Sequence, residues 1–176
     1  MTGKMSRRIV IDACVGASAG ESEDPTSRCC REFLDEVLSI CHRMVLTRDI
    51  AREWDDHGSG FALRWRGAME SRGKVARVGD LPDLGREIDS AAKTASDRKA
   101  MLKDAHLIAA AMAADGVIAS RDARARDLFA GIAADVKGLG TIAWQHIDEA
   151  DADALRWLRA GARPDRSLRL ASGDRQ

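Results

Sequence analysis

The stretch DAHLIAAAMAADGVIASRDARARDLF, residues 104–129, decides the fold. Its apolar pattern changes period partway along. Leu102, His106, Ala109, Ala110 and Ala113 align on one helical face, which predicts a helix over Ala100 to Ala114, with Gly116 as its C-terminal cap. Val117, Ile118 and Ala119 form a short apolar run with β-branched residues, bounded by turn formers, and predict a buried core strand. A further helix is expected over Arg121 to Ala130. Helix, buried strand and helix in immediate succession are a unit of a parallel sheet covered by helices.

The alternation extends in both directions. In RRIVIDACVGAS, residues 7–18, Ile9, Val10 and Ile11 read as a first strand, and GASAGESEDPTS (16–27) reads as a loop. Asp24 before Pro25 is a helix start, followed by Cys29, Phe33, Val37, Ile40, Cys41 and Met44 at helical spacing. Val45 and Leu46 form a brief second strand. Thr47 caps a helix carrying Ile50, Glu53 and Trp54, which Gly58 and Gly60 break before a helix over Phe61 to Ser71. Lys74 to Asp83 is a connector with a short strand at Val75 to Val78, and Leu84 to Thr94 is a polar, weakly helical surface element or flap. Val136 to Trp144 is expected to be a fourth core strand, interrupted by Gly138 and Gly140. A last helix, Asp148 to Ala160, precedes a polar, arginine-containing tail read as flexible. The fold class is therefore α/β, three layers α/β/α around a central, mainly parallel sheet. Residues 1–147 are the domain, and residues 148–176 are a C-terminal helix and tail.

Composition narrows the function classes. At 176 residues the chain supports one well-filled core rather than two domains. With 45% apolar and 32% charged residues it is neither disordered nor membrane-like, and no apolar run reaches membrane-spanning length. The 28 basic and 28 acidic residues cancel, so no global field attracts nucleic acid, although local basic patches remain open to it. The basic-then-apolar start is interrupted by Asp12 and reads as a first strand rather than a signal peptide. Cys14, Cys29, Cys30 and Cys41 lack metal-knuckle spacing, and the expectation is a reduced, cytoplasmic protein.

Four acids are the candidate functional residues: Asp12, Glu53, Asp104 and Asp122. Asp12 and Asp122 follow apolar strands, which places them at the C-terminal sheet edge where open α/β sheets bind ligands. Glu53 and Asp104 lie in helices able to lean over that edge. Clustered carboxylates suit Mg²⁺ or Mn²⁺, hard ions that prefer oxygen donors. Each residue has a plainer reading. Asp12 can cap the loop after its strand, Glu53 can be a solvated helix residue, and Asp104 can complement a helix N-terminus. Asp55, Asp56 and His57 compete with Glu53, and Asp127 competes with Asp122. His106 lies two residues from Asp104, about 200° around the helix, and is expected to face away from that carboxylate. Ser120 and Arg121 flank the site as a ligand-orienting hydroxyl and a phosphate contact.

The order and placement of these motifs resemble the PIN-domain proteins, and more narrowly the VapC-type toxin ribonucleases, over roughly residues 7 to 145. The resemblance rests on IVIDACVGAS, on the glutamate of LTRDIAREW and above all on the 104–129 block with its two aspartates. Cys14 stands where the family commonly carries a small polar residue, and the chain continues about 30 residues past the family's usual end. The resemblance implies a PIN-like fold and a metal-dependent endoribonuclease in which the four acids hold Mg²⁺ or Mn²⁺. It also implies an RNA substrate, a homodimer and often a small antitoxin protein. The rival expectation is a PIN-like scaffold without catalysis. An aspartyl-nucleophile phosphatase is disfavoured, because Ala13, Cys14, Val15 and Gly16 follow Asp12 with no second aspartate.

Overall fold

The computed structural model describes residues 5–148 and 153–172. Five strands, β1 (Arg8–Ile11), β2 (Arg43–Leu46), β3 (Val75–Arg77), β4 (Val117–Ser120) and β5 (Ala143–His146), form one sheet in the order β3-β2-β1-β4-β5. Every neighbouring pair is parallel. The helices among the described residues are α1 (Ala13–Ser18), α2 (Pro25–Ser39), α3 (Arg48–His57), α4 (Gly60–Ser71), α5 (Gly85–Ala91), α6 (Ala95–Met112), α7 (Ala123–Gly131) and α8 (Asp153–Arg159). The architecture is the expected three-layer α/β/α. None of these helices is long and apolar enough to cross a membrane.

The central strands explain the layering. Ile9, Val10 and Ile11 on β1 and Val117, Ile118 and Ala119 on β4 are all fully buried. A parallel strand covered on both faces needs such an unbroken apolar run, and it fixes helices on each side. Helix starts follow local chemistry. Asp24, Thr47, Ser59 and Thr94 each accept a hydrogen bond from the backbone N–H three residues on, capping α2, α3, α4 and α6. Gly116 takes the left-handed conformation (φ 71°) that turns the chain from α6 into β4.

Two tryptophans lock α3 and α4 onto the core. Their rings stack with centroids 5.6 Å apart. The Trp54 indole N–H donates to the Ile11 carbonyl at 3.0 Å, and the Trp65 N–H donates to the Leu34 carbonyl at 2.6 Å. Gly16 on α1 faces the Trp54 ring so closely that a Cβ there would stand 3.0 Å from it.

Several expectations need correcting. The residues after Asp12, expected as loop from Gly16, form α1 through Ser18, because Asp12 itself caps a helix there. Helix α6 begins at Ala95 rather than Ala100, since Thr94 supplies a cap outside the apolar pattern. Val136 to Trp144 is not one strand: Leu139–Thr141 is a 3-10 turn entered through left-handed Gly138, and β5 starts at Ala143. The last helix, expected from Asp148, is described from Asp153 to Arg159, with residues 149–152 outside the described residues.

The tail is the largest difference. Arg166–Leu168 and Leu170–Ser172 form two 3-10 turns laid against β5, and Arg169 makes an antiparallel bridge to Ala143. The Leu170 N–H donates to the Ile142 carbonyl at 2.9 Å, and its side chain is buried. The segment has no helical apolar periodicity because it is anchored by buried Leu170 with partly buried Leu168 beside it, and by no longer apolar stripe. Residues 173–176, the end of the expected tail, lie outside the described residues. Leu170→Ala should cost about 2 kcal/mol by removing a buried side chain, seen as a lower urea midpoint. Exposed Arg166→Ala should change stability by less than about 0.5 kcal/mol. Equal midpoints for both variants and the parent protein would mean that Leu170 does not anchor the segment.

Candidate functional site

Strand order reverses between β1 and β4: the chain builds outward from β1 to β2 and β3, then returns to add β4 and β5 on the other side. The crevice outside the C-terminal ends of two such strands is where open α/β sheets bind ligands. Asp12 is the first residue after β1, and Asp122 lies two residues past the end of β4.

One hydroxyl ties these ends together. Buried Ser120 donates to Asp12 Oδ2 at 2.7 Å and accepts from the Asp122 backbone N–H at 2.9 Å. The other Asp12 oxygen, Oδ1, accepts from the Cys14 N–H at 3.3 Å. Cys14 Sγ lies 3.5 Å from Ser120 Oγ and accepts from the Arg121 N–H at 3.3 Å. Since the Ser120 proton is committed to Asp12, the Cys14 thiol is the donor in its own contact with Ser120. Burial, and then the Asp12 charge, push that thiol up to about 12. Cys14 is therefore a neutral hydrogen-bonding group, not a thiolate nucleophile or ligand.

Asp104 reaches the site from the middle of α6, so it is not a first-turn helix acid. Its carboxyl is pushed up to about 6, by burial first and then by the Asp12 charge. Lys103 pulls it down, Asp122 pushes it further up, and His106 pulls it down slightly. Asp12, Asp104 and Asp122 thus share one electrostatic neighbourhood.

Glu53 arrives from α3 and is held separately. Its Oε2 lies 3.1 Å from His106 Nε2, while His106 Nδ1 lies 3.0 Å from the Lys103 carbonyl. Both ring nitrogens therefore face acceptors, an arrangement the imidazolium satisfies by donating to both. The expectation for His106 concerns the Asp104 carboxylate alone, and the acid that its ring meets is a different one. The 200° argument bears on Asp104, on the same helix, whereas His106 meets an acid supplied by α3.

The competing acids are engaged elsewhere. Asp55 pairs with Arg66 at 2.5 Å and Asp127 with Arg126 at 2.9 Å, while Asp56 and His57 are exposed. The Arg121 guanidinium donates to the Ile147 carbonyl at 3.1 Å. Two plain readings also hold in part: Asp12 caps α1, and Asp122 caps α7 by accepting from the Ala125 N–H at 2.8 Å. With their oxygens so committed, and with Glu53 drawn to His106, no group of three or more His, Cys, Asp or Glu side chains among the described residues is closed into a metal-holding cluster.

Comparison with known proteins adds no family: no family model matches the chain, and no curated protein or solved structure matches it.

The Asp104 shift fixes a pH dependence. Between about pH 4 and pH 6 the folded state keeps a proton that the unfolded chain has shed. That contribution is fully present below about pH 4 and is lost as pH rises through 6. In metal-free buffer Asp104→Asn should therefore gain on the order of 1–2 kcal/mol at pH 7.5 and flatten the decline between pH 4 and 6. Urea unfolding at a series of pH values measures this. A variant with the parent's pH profile would show that Asp104 does not carry the repulsion.

Proposed function

We propose that this protein is a metal-dependent endoribonuclease of the PIN type, with Asp12, Glu53, Asp104 and Asp122 as its acidic site. The observation that carries the reading is the convergence of Asp12, Asp104 and Asp122, from three different elements, at the switch point of a parallel sheet. Burial first, and then the charges of Asp12 and Asp122, push the Asp104 carboxyl up to about 6. Carboxylates packed to that degree are a cost in a protein without a cation to balance them.

The residues fit Mg²⁺ or Mn²⁺. The donors are all carboxylate oxygens, the strongest charge acting on Asp104 is that of Asp12, and the neutral Cys14 thiol offers no soft ligand. Asp12, Asp104 and Asp122 would hold the ion, with Glu53 joining from α3. When bound, such an ion polarises a phosphodiester and activates water for hydrolysis.

The chain's own residues do the rest. Ser120 and the Cys14 N–H orient both oxygens of Asp12, so the carboxylate is aimed before any ligand arrives. His106 restrains Glu53. Trp54 bonds to the carbonyl immediately before Asp12 and thereby fixes α3, and with it Glu53, against the strand end. A second copy of the chain and a small antitoxin, both implied by the resemblance, belong to the same proposal.

A second reading is a scaffold without catalysis, favoured by the lack of a closed ligand cluster among the described residues. Cleavage assays separate the two. With Mg²⁺ or Mn²⁺ and a mixed panel of RNAs, Asp12→Asn and Asp104→Asn should each lower cleavage by orders of magnitude. The double variant should cost little more than either single one, since residues acting as a unit are non-additive. Asp127→Asn should cleave nearly normally. Parent protein, freed of any co-purified partner, that leaves every RNA intact would establish the scaffold instead. Millimolar Mn²⁺ should also raise the melting temperature of the parent protein, because it binds the folded state preferentially, and should raise that of Asp12→Asn far less.

A further inference from the structure

His42, in the turn between α2 and β2, is buried, and the acidic site makes no use of it. Its two ring nitrogens meet backbone groups from opposite ends of the chain. The Arg7 N–H, just ahead of β1, donates to Nδ1 at 3.1 Å. Nε2 lies 2.9 Å from the carbonyl of Leu158, in the last turn of α8. An amide N–H can only donate and a carbonyl can only accept. Together the two partners fix the ring: Nδ1 is bare, Nε2 carries the proton, and the imidazole is neutral. A second proton would have to sit on Nδ1, where it would meet the Arg7 N–H donor to donor in a buried place.

The surroundings do not compensate such a charge. Burial holds the ring below the ordinary histidine range; the Leu158 carbonyl pulls it back up, and the cations Lys74 and Arg7 push it further down. Lys74, ahead of β3, donates to the Val37, Leu38 and Ile40 carbonyls at the end of α2, and Cys41 acts on Lys74. Arg43, the first residue of β2, donates to the Val75 carbonyl at 3.1 Å. The acids of the adjoining elements are engaged by other cations. Glu36 of α2 is held by Arg159 of α8 at 2.9 Å, Asp153 of α8 by Arg156 at 2.7 Å, and Asp115 by Arg8 at 2.8 Å.

The contact is a joint between the sheet and the C-terminal helix. The Leu158 carbonyl has no partner further along its own helix, and it takes the His42 proton together with the Gly161 N–H at 3.0 Å. We infer that His42 is an acid-sensitive latch for α8. With the ring neutral it clasps the helix end to the start of β1; with the ring protonated it lets go, and α8 opens while the sheet stays folded. The inference is independent of the nuclease reading. Its sign follows from the ring that docking keeps neutral. Docking is fully supported above the ordinary histidine pKa of about 6.5, and the support is lost as pH falls below it. At pH 5.5, a ring that stays neutral while docked favours opening about tenfold over pH 7.5.

The test is amide hydrogen exchange of the full chain at pH 7.5 and 5.5, for the parent and for His42→Gln, which keeps a donor but does not titrate. The reporters are the Gly161 and Ala162 N–H groups, bonded to the Leu158 and Trp157 carbonyls, with Val10 and Ile118 of the sheet as reference. Protection at Gly161 and Ala162 should fall about tenfold in the parent between the two pH values and stay level in His42→Gln. The sheet amides should remain the better protected at both. Nitrogen-15 spectra of the parent's His42 ring should show Nδ1 bare at both pH values, and this measurement stands even if the variant fails to fold. Equal protection of α8 at the two pH values overturns the latch. So does a fall that His42→Gln retains, or one in which the sheet amides are no better protected than α8. An imidazolium ring at pH 5.5 with α8 still protected overturns it as well.

Discussion

The Ser120 hydroxyl is the contact on which the site depends. It has one proton to give, and Asp12 takes it, while the lone pairs on the same oxygen receive the Asp122 N–H and the Cys14 thiol. That single oxygen joins the ends of β1 and β4 where the two halves of the sheet diverge. Its direction of donation sets every other proton in the network, down to the Arg121 N–H on Cys14. A residue at position 120 without a hydroxyl would leave the Asp12 carboxylate short of a donor and the Asp122 turn without its acceptor. Such loss of one partner from a buried network is costlier than the mean strength of its bonds suggests.

The helices bring opposing requirements to that junction. Trp54 anchors α3 through the Ile11 carbonyl, and its ring stands so close to Gly16 that a Cβ there would press on it at 3.0 Å. This close packing carries Glu53 toward the strand ends, where His106 receives it. Helix α6 carries Asp104 into the field of Asp12 and Asp122. Packing therefore holds together groups that electrostatics drives apart, a pattern more characteristic of sites than of scaffolding.

Much of this was legible in the residues. Ile9 to Ile11 and Val117 to Ala119 announced buried parallel strands through unbroken apolar runs. Thr47, Asp24 and Gly116 announced helix ends through local chemistry that needs no tertiary context. Helix α1 was hidden because its helical start depends on Asp12, which reads equally well as the end of a strand. The start of α6 was hidden because Thr94 to Lys99 is polar, and a capped, solvated first turn leaves no apolar period. In the candidate site, the positions of Asp12 and Asp122 followed from strand ends alone. The Glu53–His106 contact did not, since it joins two helices whose mutual distance no local pattern encodes. Its one signal was a histidine within an otherwise alanine-rich helical face. The seating of Leu170 was invisible for a similar reason: one buried leucine with a partly buried neighbour, Leu168, is too short a pattern to set a period.

That seating has a consequence for how the molecule behaves in company. A parallel sheet ends in strands whose outer backbone groups are unpaired and ready to accept another chain. On one side β3 is only three residues long and bears exposed Arg77, which makes a poor template. On the other, β5 is four residues long with its first three buried, and would be a better one. The Arg169–Ala143 bridge and the Leu170–Ile142 hydrogen bond occupy part of that edge with the chain's own backbone. The C-terminal segment thus serves as a built-in edge guard, disfavouring strand-to-strand association between copies of the protein at high concentration.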